Sequence, residues 1–186
     1  MNYPGPIPYV TFDTNCLNSK GLMVEMNFLD DLRDKGLISI HISETMWREL
    51  PDGMGPMKEK ACEYVFFGGE DLLQEELEPL RQLRLIIFRE KEKLSIRDKR
   101  DVQHVFDHRK YVTSQWTFFV TNDHHFLDHR AELQTERILV GTPADCVHWL
   151  KGILPVVQSQ MQQWKRRNSE PPPSPRTRSP EWRSEP

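Results

Sequence analysis

Short apolar runs alternate with longer segments of helical periodicity along most of this chain. Residues 9–12, Tyr-Val-Thr-Phe, are apolar and β-branched, which is typical of a buried strand. Isoleucines at positions 38, 40 and 42 alternate with polar residues and predict a second strand. Further apolar runs predict strands at residues 85–88, 117–121 and 137–140.

The segments between these strands carry apolar residues at helical spacing. Leu22, Met26, Leu29 and Leu32 lie on one helical face, and Gly36 suits the end of that helix. The other predicted helices cover residues 44–50 after a cap at Ser43, 56–67, 70–83 with an interruption or end near Pro79, and 97–110. A last helix is predicted to begin at Pro143 after a cap at Thr142.

The alternation of strands and helices predicts the fold class. It is typical of an α/β protein whose doubly wound parallel sheet, here of about five strands, has helices on both faces. We therefore expect one domain over residues 1–155. Residues 156–186 are rich in proline, serine and arginine, and we expect a basic, disordered tail there, with order fading after about Trp164.

Charge is unevenly distributed along the 186 residues, whose formal net charge is −3. Residues 165–186 contain six lysines or arginines and three acids, so the tail carries +3 and the preceding body −6. An acidic body does not resemble a uniformly cationic nucleic-acid coat. Any contact with nucleic acid must therefore come from local patches.

The spacing of the cysteines and the length of the apolar segments indicate the cellular compartment in which the protein is expected. Cys16, Cys62 and Cys146 are widely spaced and form neither a zinc-binding nor a redox motif. The chain begins without a signal-peptide pattern and contains no apolar stretch approaching the length of a membrane span. We therefore expect a reduced, cytoplasmic protein that makes no membrane contact.

Polar residues follow two of the predicted strands at the point where each strand ends. Asp13 and Asn15 come directly after the first strand, and Thr121, Asn122 and Asp123 end the fourth. Ligands of open α/β sheets bind at this edge, in the crevice between the helices. An isolated aspartate there would more simply cap a turn.

Further carboxylates are predicted to approach the same edge from helices. Glu49 lies in the helix after the second strand, and Asp101 lies in the first turns of the helix predicted at 97–110. Asp98 precedes Asp101 by three residues and shares its face. Four carboxylates at one edge raise one another's pKa unless a cation is bound, and oxygen ligands favour Mg²⁺ or Mn²⁺.

These motifs, in this order, resemble those of the PIN domains, a family of metal-dependent ribonucleases with a doubly wound parallel sheet. The resemblance covers roughly residues 8 to 154. The matching motifs are Phe12-Asp13-Thr14-Asn15, Glu49-Leu50, Asp101, Phe119-Val120-Thr121-Asn122-Asp123 and the closing Val140-Gly141-Thr142-Pro143.

The resemblance implies roles for individual residues. Asp13, Glu49, Asp101 and Asp123 would form the family's acidic quartet, here named the quartet, and would be both catalytic and metal-binding. Glu44 competes with Glu49 for its place, and Asp98 competes with Asp101. The supporting residues would be Asn15, Thr121, Asn122 and, as a helper, Asp98.

The implied activity is endonucleolytic hydrolysis of single-stranded RNA that leaves a 5′-phosphate. Its cofactor would be Mg²⁺ or Mn²⁺. Arg97, Lys99 and Arg100 crowd the approach to Asp101 and are the candidate RNA contacts, although a solvated charged loop would look the same. The implied partners are an RNA substrate, an antitoxin or other regulatory protein, and a second copy of the chain in a homodimer.

Two questions remain open at the level of the sequence. A PIN-like domain can also be a catalytically inactive module that binds RNA or protein, although such a module has no reason to keep four mutually repelling carboxylates. His124, His125 and His129 lie near Asp123, but imidazole suits zinc or iron better than a magnesium site. His104 and His108 can face either the site or a neighbouring helix.

Overall fold

The computed structural model describes residues 7–17, 21–53, 55–68, 73–89, 91–111 and 116–169. Its centre is an all-parallel sheet of five strands in the order β3-β2-β1-β4-β5. The strands are β1 (Tyr9–Phe12), β2 (Ser39–Ser43), β3 (Val65–Phe67), β4 (Thr117–Val120) and β5 (Val140–Gly141).

Helices connect the strands, as parallel pairing requires. They are α1 (Val24–Asp34), α2 (Glu44–Glu49), α3 (Pro56–Ala61), α4 (Leu77–Ile87), α5 (Ile96–Tyr111), α6 (His124–Leu127), α7 (Arg130–Thr135) and α8 (Pro143–Ser169). Two short 3-10 turns cover Thr14–Cys16 and Gln74–Glu76.

The sheet has a hydrophobic core on each face, because alternate residues of a strand point to opposite sides. Val10 and Val120 belong to the core that contains α1 and α8. Phe119, the neighbour of Val120, belongs to the second core, which contains α4, α5 and α7. The predicted α/β fold with helices on both faces of a parallel sheet is therefore confirmed.

The predicted third strand at residues 85–88 is wrong. These residues lie at the end of α4, where Leu83 and Ile87 are buried one turn apart while Leu85 between them is 53% exposed. That pattern has the helical period, which a run of four apolar residues conceals. Pro79 lies in the first turn of α4, where proline is tolerated, and so does not end the helix.

The actual third strand lies at residues 65–67, within the segment predicted to be helical as far as residue 67. The helix α3 ends at Ala61, and β3 then pairs with β2 from His41 to Ser43. As an edge strand, β3 leaves Val65 and Phe66 about half exposed. Its residues are too few to show an alternating pattern in the sequence.

The last helix begins as predicted but is longer. Thr142 and Asp145 form a reciprocal cap, in which the Asp145 carboxylate accepts from Thr142 N at 3.0 Å and Asp145 N donates to Thr142 Oγ1 at 3.2 Å. The helix α8 passes through Pro155 to Ser169, beyond the predicted domain end at 155 and the predicted loss of order near Trp164. The rest of the predicted tail, 170–186, lies outside the described residues.

Among the helices in the described ranges, none has both the length and the apolar character that crossing a membrane requires.

Candidate metal centre

The carboxyl ends of β1 and β4 lie at the point where the direction of chain progression across the sheet reverses. The chain proceeds from β1 through β2 to β3 on one side, and from β4 to β5 on the other. Loops after the two central strands therefore diverge and leave a crevice between them, where ligands of such sheets bind. Asp13 directly follows β1, and Asp123 follows β4 after two residues.

Asp13 is buried and held by three hydrogen bonds. Its Oδ1 accepts from Thr14 N at 2.7 Å, and its Oδ2 accepts from Asn15 Nδ2 at 2.7 Å and from Thr121 Oγ1 at 2.6 Å. Burial raises the pKa of Asp13, and the hydrogen bond from Thr121 opposes that rise. The site therefore fixes the orientation of this carboxylate before any ligand is bound.

Asp101 is buried without such support. It projects from the first half of α5 and is 8% exposed, yet no described side chain or backbone group donates a hydrogen bond to its carboxylate. Burial raises the pKa of Asp101 to about 6, and the negative charges of Asp123, Asp13 and Glu49 add to the rise. All three other members of the predicted quartet are thus close enough to act on Asp101.

Glu49 is positioned from two sides at the end of α2. Its Oε2 accepts from Thr14 Oγ1 at 2.7 Å and lies 3.2 Å from His104 Nε2. Burial disfavours the ionised form, but the hydrogen bonds from His104 and Thr14 outweigh it and lower the pKa of Glu49. The competing Glu44 instead pairs with the exposed Arg48.

His104 is itself oriented by Ser43, the residue that caps α2. Ser43 Oγ accepts from Met46 N and lies 3.1 Å from His104 Nδ1. Because that acceptor role leaves the Ser43 hydroxyl proton available for Nδ1, the network assigns Nε2 of His104 as the donor to Glu49. The chain of contacts thus runs from Ser43 through His104 to Glu49.

Asp123 caps the short helix α6 and lies beside a cationic side chain. Its Oδ1 accepts from His125 N at 2.9 Å, and Arg97 approaches its Oδ2 to 3.9 Å. Single ligand atoms of Asp101, Asp123 and His125 all lie within 4.8 Å of one another. The structure therefore brings together the predicted pair of aspartates and adds an exposed histidine that sequence reasoning ranked low.

The supporting residues hold the two strand ends together. Asn15 Oδ1 accepts from Asn122 N at 3.1 Å, and Thr121 Oγ1 accepts from Asp123 N at 2.9 Å. The loop after β1 is thereby hydrogen-bonded to the loop after β4. Asn15, Thr121 and Asn122 all lie at the predicted place.

Asp98 lies in the first turn of α5, as predicted, and its carboxylate bonds residues that precede the helix. Its carboxylate accepts from Ser95 N at 2.9 Å and from Lys91 Nζ at 3.0 Å, while Ser95 Oγ accepts from Asp98 N. This reciprocal pattern is a capping box at the start of α5. The Asp98 carboxylate therefore caps the N-terminus of the helix that carries Asp101.

The two histidines on α5 have separate surroundings. His104 reaches the site through Glu49, whereas His108 bonds Thr11 in the middle of β1 at a distance of 2.8 Å. Burial lowers the pKa of His108 to about 3, so this side chain stays neutral. His108 thus anchors α5 to the sheet, and His104 belongs to the site.

Sequence analysis assigned no site role to two residues that position the quartet, Thr14 and Ser43, and left His104 between the site and a neighbouring helix. The contacts of all three lead to Glu49. Ser43 carried a signal only as a helix cap. His104 follows Asp101 by three residues, the spacing that places two side chains on one helical face, and this was the available signal.

The candidate RNA contacts divide into two groups. The exposed Arg97 lies at the acidic cluster, beside Asp123. Lys99 and Arg100 instead line a depression between α2 and α5. Both groups adjoin the quartet, Arg97 at Asp123 and Arg100 near Glu49.

The fold and the site together define an α/β protein with an acidic cluster at the switch point of its sheet. Compared with protein-family models, curated proteins and solved structures, the chain has no significant match in any of the three. Membership of the PIN family therefore stays a prediction from the motifs.

Proposed function

We propose that this protein is a metal-dependent endoribonuclease that hydrolyses single-stranded RNA at the quartet. The observation that carries the proposal is the Asp101 carboxylate, which is buried among three other acids without a hydrogen-bond donor in the described structure. A buried carboxylate of this kind is costly unless a cation compensates it. A divalent metal supplies that compensation.

The donor set fits Mg²⁺ or Mn²⁺. The residues that would hold the metal are Asp13, Glu49, Asp101 and Asp123, which offer hard carboxylate oxygens. When bound, such an ion lowers the pKa of a water molecule and offsets the negative charge that develops on the scissile phosphate. His125 adds one nitrogen beside Asp101 and Asp123, which Mn²⁺ accepts more readily than Mg²⁺ does.

The residues around the quartet perform the positioning that such hydrolysis needs. Thr121 and Asn15 fix Asp13, while Thr14 and His104 fix Glu49, so the carboxylates do not have to reorganise during the reaction. Arg97 is 82% exposed and approaches Asp123, which places a cation where a phosphate would enter.

The reaction can be written as a simple displacement. The oxygen of a water molecule forms a bond to phosphorus, and the bond from phosphorus to the 3′ oxygen breaks. The water loses a proton and the departing 3′ oxygen gains one. The products are a 3′-hydroxyl and a 5′-phosphate, and no oxidant or further co-reactant is needed.

The test is cleavage of end-labelled single-stranded RNA by the full chain in Mn²⁺, in Mg²⁺ and in EDTA. We expect cutting with either metal, no cutting in EDTA, and loss of cutting in Asp13→Asn and Asp123→Asn. The matched controls are Asp107→Asn, a buried acid that bonds Gln103 and Thr45 instead, and Asp128→Asn, an exposed acid near Asp123.

Two results would contradict the proposal. Unchanged cutting by Asp13→Asn would show that the activity arises elsewhere or from a contaminant. A parent protein that neither cuts RNA nor binds Mn²⁺ in calorimetry would favour the non-catalytic RNA-binding or protein-binding module.

A further inference from the structure

Two depressions lie side by side on the surface formed by α2, α5 and α4. The larger, with a volume of about 670 Å³, lies between α4 and α5, and its charged lining is Arg81, Arg84, Glu92, Lys93 and Lys99. The smaller, of about 320 Å³, lies between α2 and α5 and contains Arg48, Lys99 and Arg100. Lys99 and Gln103 line both, so the two form one continuous surface, here named the basic strip.

The charge of the basic strip contrasts with that of the rest of the domain. Its described lining contains six cations and a single acid, Glu92, although residues 1–164 carry a formal charge of −6. Arg48 pairs with Glu44 and Arg81 with Glu78, whereas Lys93, Lys99 and Arg100 make no ion pair with any described residue. A local concentration of unneutralised positive charge on an acidic protein attracts and orients a polyanion.

The basic strip begins at the acidic cluster. Arg100 is close enough to Glu49 for its charge to favour the ionised carboxylate. Arg97 precedes Arg100 by one helical turn and approaches Asp123 to 3.9 Å. Two arginines one helical turn apart therefore link the proposed metal centre to the strip.

The lining indicates how a polyanion would be bound. Its apolar part consists of aliphatic side chains, among them Leu80, Leu94 and Val102, and the described lining contains no aromatic ring on which a base could stack. Contacts to phosphates without stacking position a strand but do not read its sequence.

We propose that the basic strip binds the phosphate backbone of the RNA strand on one side of the scissile phosphate, without sequence preference. This inference rests on the proposed function, because it assigns the strand's path away from the metal centre. Arg48 and Arg81, which sequence analysis did not connect with RNA, become contacts of this strand.

The test measures binding of a fluorescent single-stranded RNA by anisotropy over a series of salt concentrations, in EDTA so that no cutting takes place. The variant is the triple substitution Arg84→Gln, Lys93→Gln, Lys99→Gln. We expect several-fold weaker binding and a salt slope reduced by about 2, because each lost phosphate contact on a single strand removes about 0.7. Lys93 and Lys99 are exposed, whereas Arg84 is half-buried and donates to the Glu92 carbonyl at 3.2 Å, so urea unfolding of the variant checks that the fold is kept.

A charge-matched control removes three cations from other surfaces. The triple variant Lys35→Gln, Arg130→Gln, Lys151→Gln changes exposed residues of or beside α1, α7 and α8 and is expected to leave the slope unchanged. An unchanged slope in the strip variant, or an equal reduction in the control, would overturn the inference. Competition by polyglutamate as strong as that by RNA would also overturn it, in favour of an acidic protein partner.

The two proposals fail in different ways. If the parent protein cuts no RNA in Mn²⁺, the nuclease proposal fails, while the salt slope still decides whether the strip binds the strand. If cutting is normal but the strip variant binds RNA as the parent does, only the strip assignment fails.

Discussion

The hydroxyl of Thr121 donates a hydrogen bond of 2.6 Å to Asp13 Oδ2, which joins two residues 108 positions apart in the sequence. The Thr121 hydroxyl oxygen, Oγ1, also accepts from Asp123 N at 2.9 Å. One fully buried side chain at the end of β4 therefore orients one quartet carboxylate and fixes the backbone of another. The relative placement of Asp13 and Asp123 therefore depends on this contact between the two central strands.

We predict that Thr121→Val destabilises the protein by about 1–3 kcal/mol, because Asp13 and the Asp123 amide then lose a buried partner while the side-chain shape is kept. The loss of the donor also raises the pKa of Asp13 further. Urea unfolding measures the first effect. Thr121→Ser retains the hydroxyl and should recover most of the stability, and a Val variant as stable as the parent would contradict this role.

We predict that Asp101→Asn stabilises the metal-free protein at pH 7.5. Burial and the neighbouring acids raise the pKa of Asp101 from 3.8 to about 6, so the folded state binds this proton more tightly than the unfolded chain does. The contribution of Asp101 to stability is therefore lost as the pH rises from about 4 to about 6. Above that range the ionised carboxylate costs on the order of 3 kcal/mol, which asparagine avoids.

Urea unfolding in EDTA at pH 4 and pH 7.5 measures this difference. The two proteins should differ little at pH 4, where Asp101 is protonated in the folded state and close to its titration midpoint in the unfolded chain. Mn²⁺ added at 1,000 times its Kd should reverse the order at pH 7.5, since a ligand at that concentration stabilises the parent by about 4.1 kcal/mol. A parent more stable than the variant in EDTA at pH 7.5 would show that Asp101 is not under electrostatic strain.

We predict that His104→Phe weakens Mn²⁺ binding by about 10- to 100-fold, the usual cost of removing a group that orients a metal ligand. The phenyl ring fills the buried space but cannot donate to Glu49. His104→Gln keeps a donor and should recover part of the affinity. Calorimetric titration measures the Mn²⁺ affinity of both variants. Equal affinity in the parent and the Phe variant would show that His104 does not position a metal ligand.

The sequence predicted the two strands that end at the candidate site better than it predicted the third strand. The ends of β1 and β4 were recognisable because their apolar runs stop at Asp13 and at Thr121, and Asp13 and Asp123 lie where expected. The third strand was misplaced because α4 presents its apolar residues contiguously at 85–88, whereas β3 is a three-residue edge strand. Local composition does not distinguish these two cases.

The contacts that position Glu49 could not be predicted from the sequence, for a different reason. Ser43 and His104 are 61 residues apart, and their contact exists only because α5 packs against α2 and β2. Asp98 illustrates the reverse case. A helix cap and a metal ligand both favour an aspartate near a helix start, and only the bond from Ser95 distinguishes the two roles.

The most direct measurement of the central claim is the chemical nature of the ends that cleavage produces. The reaction is carried out in Mn²⁺ on an RNA and on the same strand with a single 2′-deoxy residue at the cleaved position. Attack by water does not use the 2′-hydroxyl, so the account predicts 5′-phosphate and 3′-hydroxyl ends and cutting of both strands. Cyclic 2′,3′-phosphate ends, with the deoxy-substituted strand left intact, would contradict it.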